Sequence, residues 1–238
     1  YFDDDFCAKA FPGDHVKVVA AAEARRDESS PHASWKELLQ HLDQAYEFDR
    51  VVYLSNYLTP HTDTVGEIEL LRSVFRTCAG RRVQLLYVAG PAGAEGAADA
   101  AGRTGKGIIA HAANDLCRYY AAREGVQTKI LRVPFLYTAS AALEDPFLVP
   151  LFDACSTGSA ALQGAQDAAF PLLCAEELSV LVRRIFDSWD GNFETLDVAD
   201  TFHHTVGEVG DALKALFPGL AVAYGDSAGY ALPASDVA

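Results

Sequence analysis

The stretch Gln127-Thr-Lys-Ile-Leu-Arg-Val-Pro-Phe-Leu-Tyr137 decides the fold of this 238-residue chain. Residues 128–133 are mostly apolar or β-branched, of strand length, and bounded by Gly125 and Pro134. They predict a buried strand that ends in Arg132-x-Pro134-x-x-Tyr137. The preceding residues, 108–124, read as a helix, and Gly125 supplies its stop. A helix followed at once by a buried strand is the repeating step of a parallel sheet.

The same step recurs outward in both directions. Strands are predicted at 15–20, Arg50–Leu54, 83–88 and 193–198, and helices at 34–46, Thr64–Cys78, 175–189 and 205–217. In the helix at 34–46, Ser34 caps with Glu37 three residues on, and Leu38, Leu39, Leu42 and Ala45 share a face. In the helix at 205–217, Thr205 caps, Glu208 stands at the third position, and Val209, Leu213 and Leu216 form the apolar stripe before Pro218-Gly219. The Gly- and Ala-rich residues 89–107 read as a loop. Residues 139–171 read as irregular chain packed over the sheet edge in a smaller lobe, and the tail after Gly225 as frayed.

Apolar residues make up 50% of the chain, enough for a sizeable core in one α/β domain, with or without a small lobe. A formal charge of -14 opposes binding to nucleic acid or an anionic membrane, which takes clustered Lys and Arg. Cys7, Cys78, Cys117, Cys155 and Cys174 are odd in number, and none forms a Cys-x-x-Cys pair. They predict buried thiols in a reducing cytoplasm rather than a disulfide frame or zinc site. No apolar run is long enough to span a bilayer, and no signal-peptide pattern is visible. The sequence contains no methionine and is expected to begin inside a longer gene product.

With these elements in order, the chain resembles the extended short-chain dehydrogenase/reductase family, the NAD(P)-dependent sugar-nucleotide epimerases and dehydratases. Lys17-Val-Val-Ala20 is similar to the family's third strand, Phe48-Asp-Arg-Val-Val-Tyr-Leu-Ser-Asn56 to the fourth, Arg82-Val-Gln-Leu-Leu-Tyr-Val-Ala-Gly90 to the fifth, and the stretch ending at Tyr137 to the sixth. Thr64-Val-Gly-Glu-Ile-Glu-Leu-Leu-Arg72 resembles the helix after the fourth strand. Glu176-Glu-Leu178 resembles the opening of a substrate-lobe helix, and Glu194-Thr-Leu-Asp-Val-Ala199 the late strand. The resemblance implies an α/β fold, a Rossmann-like doubly wound parallel sheet with a small C-terminal substrate lobe. Residues 1–138 would form the core, and residues 139–238 the rest of the core with a remnant of the lobe.

The resemblance also implies ligands and partners. NAD or NADP would lie with Asp3 at the adenosine ribose and with Ser55 and Ala89 at the ends of the fourth and fifth strands. Arg132, Pro134 and Tyr137 would lie at the strand end that approaches the nicotinamide and substrate. Asp3 reads equally well as part of a solvated acidic loop, and Arg132 and Tyr137 as structural residues. Homodimerisation through Thr64–Cys78 and the helix at 108–124 is implied too, with Ile108, Ala112 and Tyr119 facing either a partner or the sheet.

The departures from the family fall on the chemistry. Its acid/base is a Tyr-x-x-x-Lys at the head of the helix before the sixth strand, the lysine lowering the pKa of the phenol. Here the helix opens Lys106-Gly-Ile-Ile-Ala110. Lys106 stands either at the tyrosine, with Ala110 at the lysine, or at the lysine, with Gly102 at the tyrosine; neither register contains a phenol. Where the family has a Ser or Thr after the fifth strand, this chain has Ala89-Gly-Pro-Ala92. The Gly-rich turn of the first strand is absent, and a strand–helix–strand piece is expected before Tyr1, from the natural protein or another chain. The expectation is therefore a degenerate, non-catalytic member with a binding, regulatory or structural role, with or without cofactor. The alternatives are an NAD-dependent sugar-nucleotide epimerase or reductase with an atypical site, and an assembly subunit whose acidic surface meets a basic partner.

Other patterns do not compete. Gly90-x-x-Gly93-x-x-Gly96 follows a strand, but Pro91 stiffens the turn and Gly102, Gly105 and Gly107 interrupt a helix after it. Gly102-Arg-Thr-Gly-Lys-Gly107 lacks the phosphate-loop spacing. His203-His204 are adjacent residues that point apart and do not suit a metal, and no Gly-x-Ser-x-Gly elbow occurs.

Overall fold

A computed structural model describes residues 11–14, 48–54, 64–90, 105–137, 154–162, 164–170, 172–198 and 204–226. In chain order the elements are β1 (Arg50–Leu54), α1 (Thr64–Cys78), β2 (Gln84–Ala89), α2 (Gly105–Arg123), β3 (Gln127–Arg132), β4 (Phe135–Tyr137), β5 (Ser159–Leu162), β6 (Leu172–Cys174), α3 (Ala175–Asp187), β7 (Phe193–Asp197), α4 (Val206–Leu216) and β8 (Ala221–Tyr224). The elements predicted at 15–20 and 34–46, together with Asp3 and Ser55, lie outside the described residues.

The main sheet has the order β1-β2-β3-β7, with every described pair parallel. Its two faces carry two cores, because side chains alternate along each strand. Tyr53, Leu85, Tyr87 and Ile130 pack with Leu71 and Phe75 of α1 and Ala113, Cys117 and Tyr120 of α2. Leu86, Val88 and Leu131 pack on the other face with Leu178, Val182, Ile185 and Phe186 of α3. The helix that Glu176-Glu-Leu178 opens thus covers the main sheet instead of belonging to the small lobe.

The quoted stretch forms as its residues dictate. Gly125 adopts a positive φ of 69° that a side chain would oppose, and the amides of Glu124 and Val126 both donate to the Tyr120 carbonyl. Thr128 is fully buried and its hydroxyl donates to the Val126 carbonyl. The ladder continues one residue past β3, where the Val133 amide donates to the Ala89 carbonyl at 2.9 Å. Pro134 has no amide hydrogen, so pairing stops there, and the chain turns into β4, which pairs parallel with β6.

A third core lies in the C-terminal part, where Cys155, Ala160, Leu162, Phe170, Val206 and Leu213 pack around the parallel pair β5·β8 and α4. Two expectations change here. Residues 139–171, read as irregular, contain β5, and Ala221–Tyr224 is a strand the sequence reading left unassigned. On α4, Val209 and Leu213 of the expected stripe pack against this core beside Val206 and Gly210, while Leu216 is 68% exposed. Gly210 lets the Tyr224 ring lie so close that a Cβ there would meet its hydroxyl at 2.3 Å.

Candidate functional site

In a parallel α/β sheet the carboxyl ends of the strands converge on one edge, where ligands bind. In this chain the register aligns Ala89 of β2, Arg132 of β3 and Asp197 of β7 in one row at that edge. Residues level with one another on parallel strands point to the same side, here the side covered by α1 and α2. The Arg132 guanidinium lies 3.6 Å from the Asp197 carboxylate, with side-chain exposures of 21% and 36%. The Val198 amide donates to the Arg132 carbonyl at 2.9 Å, which holds the two strand ends together past the pair.

The expected site residues are therefore only partly brought together. Ala89 and Arg132 are neighbours in register, and Pro134 is buried two residues further on. Tyr137 lies on the second sheet, its backbone in register with Cys174. Asp197 was not among the expected site residues. Its link to Arg132 spans 65 positions and exists only through the strand register; a charged residue near the end of an otherwise strand-like run, Glu194-Thr-Leu-Asp197, was the available signal.

Two reactive groups, Tyr53 and Cys174, are held in unreactive forms. Tyr53, one residue from the end of β1, donates its hydroxyl to Glu67 at 2.9 Å and stacks on Tyr87. Burial first, and the Glu67 carboxylate second, push its pKa far up, so the phenol stays protonated and is no base. Cys174 caps the start of α3, and its thiol donates to Glu176 at 2.6 Å. Burial and the Glu176 carboxylate raise the thiol's pKa, which keeps it from acting as a thiolate nucleophile. In the last turns of α2, away from this edge, Tyr120 is buried in a stack against Phe75 with ring centroids 4.7 Å apart, and Tyr119, 53% exposed, meets the Tyr120 ring edge-on. The described head of α2 is Gly105-Lys-Gly107, without a tyrosine.

The edge combines the small side chain of Ala89, the Arg132–Asp197 pair, and the first turns of α1, which holds the buried Glu67 carboxylate, and α2. Each of these helices follows a strand of the sheet and so begins at its carboxyl end, where the amide ends of a helix favour negative charge. Among the described residues no helix is long and apolar enough to cross a membrane.

No protein-family model and no curated protein matches the chain. Solved structures do. The chain is 15% identical to UDP-N-acetylglucosamine 4-epimerase from Bacillus cereus, with a TM-score of 0.60 over 83% of this chain and 71% of that one. UDP-glucuronic acid 4-epimerase from Bacillus cereus, in complex with NAD, is 11% identical with a TM-score of 0.63, over 84% and 72% of the two chains. ADP-L-glycero-D-manno-heptose-6-epimerase from Helicobacter pylori is 13% identical with a TM-score of 0.55, over 81% and 66%. At these identities the likeness is one of fold: the chain has the Rossmann-like α/β fold that these epimerases share.

Proposed function

We propose that this chain binds a nicotinamide dinucleotide, NAD or NADP, along the carboxyl edge of its sheet and acts by binding rather than by turnover. The observation that carries this reading is the head of α2, where the fold would present a phenol to a substrate and this chain has Gly105-Lys-Gly107. Among the described tyrosines, Tyr53 is bonded to Glu67, Tyr87 is buried in a stack against Tyr53, Tyr120 is stacked on Phe75, and Tyr119 faces outward. A bound nicotinamide supplies a hydride acceptor. The chain's own part is to hold it, with Ala89 and Pro134 as a small, rigid wall and Arg132 as counter-ion. Tyr137 is assigned to the same pocket, Asp3 to the adenosine ribose, and Ser55 to the dinucleotide at the end of β1, on the family resemblance alone. Reduced thiols at the buried Cys78, Cys117 and Cys155 support a cytoplasmic setting.

The neighbours favour one second reading. They include an epimerase in complex with UDP-glucuronic acid and NAD and a synthase in the presence of NADPH, which supports an NAD(P)-dependent sugar-nucleotide enzyme with an atypical proton donor. Incubation with NAD and UDP-glucose or UDP-glucuronic acid separates the two. Binding without turnover predicts no absorbance of reduced nicotinamide and no new sugar nucleotide. Either product would overturn it in favour of the enzyme.

A further inference from the structure

The strand register places a layer of buried phenols directly beneath the carboxyl edge. Tyr53 and Tyr87 are partners on β1 and β2, and their rings stack with centroids 5.6 Å apart. Ala89 follows two residues after Tyr87, on the same face of β2. From this layer the Tyr53 hydroxyl reaches the first turn of α1 and donates to the Glu67 carboxylate at 2.9 Å. Both residues are buried, with exposures of 8% and 7%. Further along, α1 meets the sheet through Leu71, Phe75 and Cys78, which are apolar. Apolar packing is non-directional, whereas a hydrogen bond specifies both distance and direction. A buried carboxylate that loses a donor also costs its desolvation, so the bond resists separation of the two elements.

We infer that Tyr53 and Glu67 are positioning residues of the carboxyl edge, whose bond fixes the head of α1 against the ends of β1 and β2. A ligand of that edge then meets a surface already in place and does not spend binding free energy on ordering it. This inference rests on the dinucleotide-binding reading above and deepens it, by naming what holds that site ready. Neither residue is assigned a contact with the ligand; both act through the placement of α1.

The test is a double-mutant cycle of the full chain with Tyr53→Phe, Glu67→Leu and both together, read by amide hydrogen exchange and by calorimetric titration with NAD and NADP. The informative amides are those of Ile68, Glu69 and Leu70, whose helical acceptors lie in the first turn of α1. Tyr53→Phe is expected to speed their exchange about tenfold and to leave the amides of α3 unchanged, a local opening that a general loss of stability would not give. It is expected to weaken dinucleotide binding about tenfold as well. On the Glu67→Leu background Tyr53→Phe is expected to change neither readout, which isolates this bond from the other contacts of Glu67. Thermal unfolding of each variant establishes that it is folded. Unchanged exchange in Tyr53→Phe, wild-type dinucleotide affinity in it, faster exchange spread equally over α3, or equal effects on both backgrounds each overturn the inference. If the exchange series behaves as expected while the wild type binds neither NAD nor NADP, the positioning pair stands and the dinucleotide reading falls.

Discussion

A lysine in the middle of a buried parallel strand needs carboxylates within reach, and Lys129 has two. Its ammonium donates to Asp190 at 3.0 Å and to Glu194, and lies 5.4 Å from the centre of the Trp189 ring. Burial pulls the Lys129 pKa down, but the hydrogen bonds to Glu194 and Asp190 outweigh it and leave the value above that of an ordinary lysine; the hydrogen bond to Lys129 holds Asp190 below the usual carboxylate range. The group's contribution to stability is therefore present at neutral pH. It fades as pH falls through the depressed Asp190 value and as pH rises through the raised Lys129 value. The exposures decide which partner matters more: 6% for the Lys129 side chain, against 88% and 47% for Asp190 and Glu194. Lys129→Met leaves carboxylates that water can solvate and is expected to cost no more than about 1 kcal/mol in urea unfolding. Asp190→Asn with Glu194→Gln removes both acceptors of the Lys129 ammonium and is expected to lower the urea midpoint further than Lys129→Met does. Burial also pushes the thiols up, Cys78 to about 12 and Cys117 further, so both stay protonated in the fold. Stability is then expected to fall as pH rises past the unfolded thiol value of about 8.5, and Cys78→Ala with Cys117→Ala to flatten that alkaline limb. Arg132 was legible as a strand end, because Pro134 marks where the ladder stops. Asp197 and the acceptors of Lys129 were not, because their partnerships come from cross-strand register.

The elements that were legible are those whose own residues carry the signal. Arg50–Leu54 and Thr64–Cys78 have the predicted bounds, since one is a compact apolar run and the other a full amphipathic helix. Thr205 and Glu208 form the expected capping box, each side chain bonded to the other's backbone amide. Thr205→Ala is expected to cost about 1 kcal/mol, read as a lower urea midpoint at unchanged slope. The strands β5 and β8 were not legible. Ser159-Ala-Ala-Leu162 and Ala221-Val-Ala-Tyr224 are short and made mostly of small residues, and they become strands by pairing with each other across some 60 positions. Gly210 couples α4 to β8. In a Tyr224→Ala background, Gly210→Ala is expected to stabilise by about 1 kcal/mol through helix propensity. In the wild-type background the added methyl displaces the Tyr224 ring and that gain is expected to vanish. Equal effects in both backgrounds would show that the ring does not constrain the helix.

At the scale of the molecule, α1 and α2 lie side by side over one face of the sheet and leave apolar side chains outside. Val65, Ile108 and Tyr119 are 65%, 42% and 53% exposed, while Ile109, Ala113, Cys117 and Tyr120 take the inner face. Of the two orientations open in the sequence, Ile108 and Tyr119 therefore face away from the sheet. We propose this outer face as a homodimer contact. Sedimentation is expected to give twice the chain mass for the wild type and the chain mass for Tyr119→Glu; a monomeric wild type would contradict it. The central claim concerns the carboxyl edge of the sheet, read as a dinucleotide site without the phenol that hydride chemistry requires. The measurement that bears on it most directly is a calorimetric titration of the protein with NAD and NADP. Saturable binding of either, lost in Arg132→Gln, is the predicted result. No heat with either cofactor at millimolar concentration would contradict the account and leave the fold as a scaffold for protein contacts.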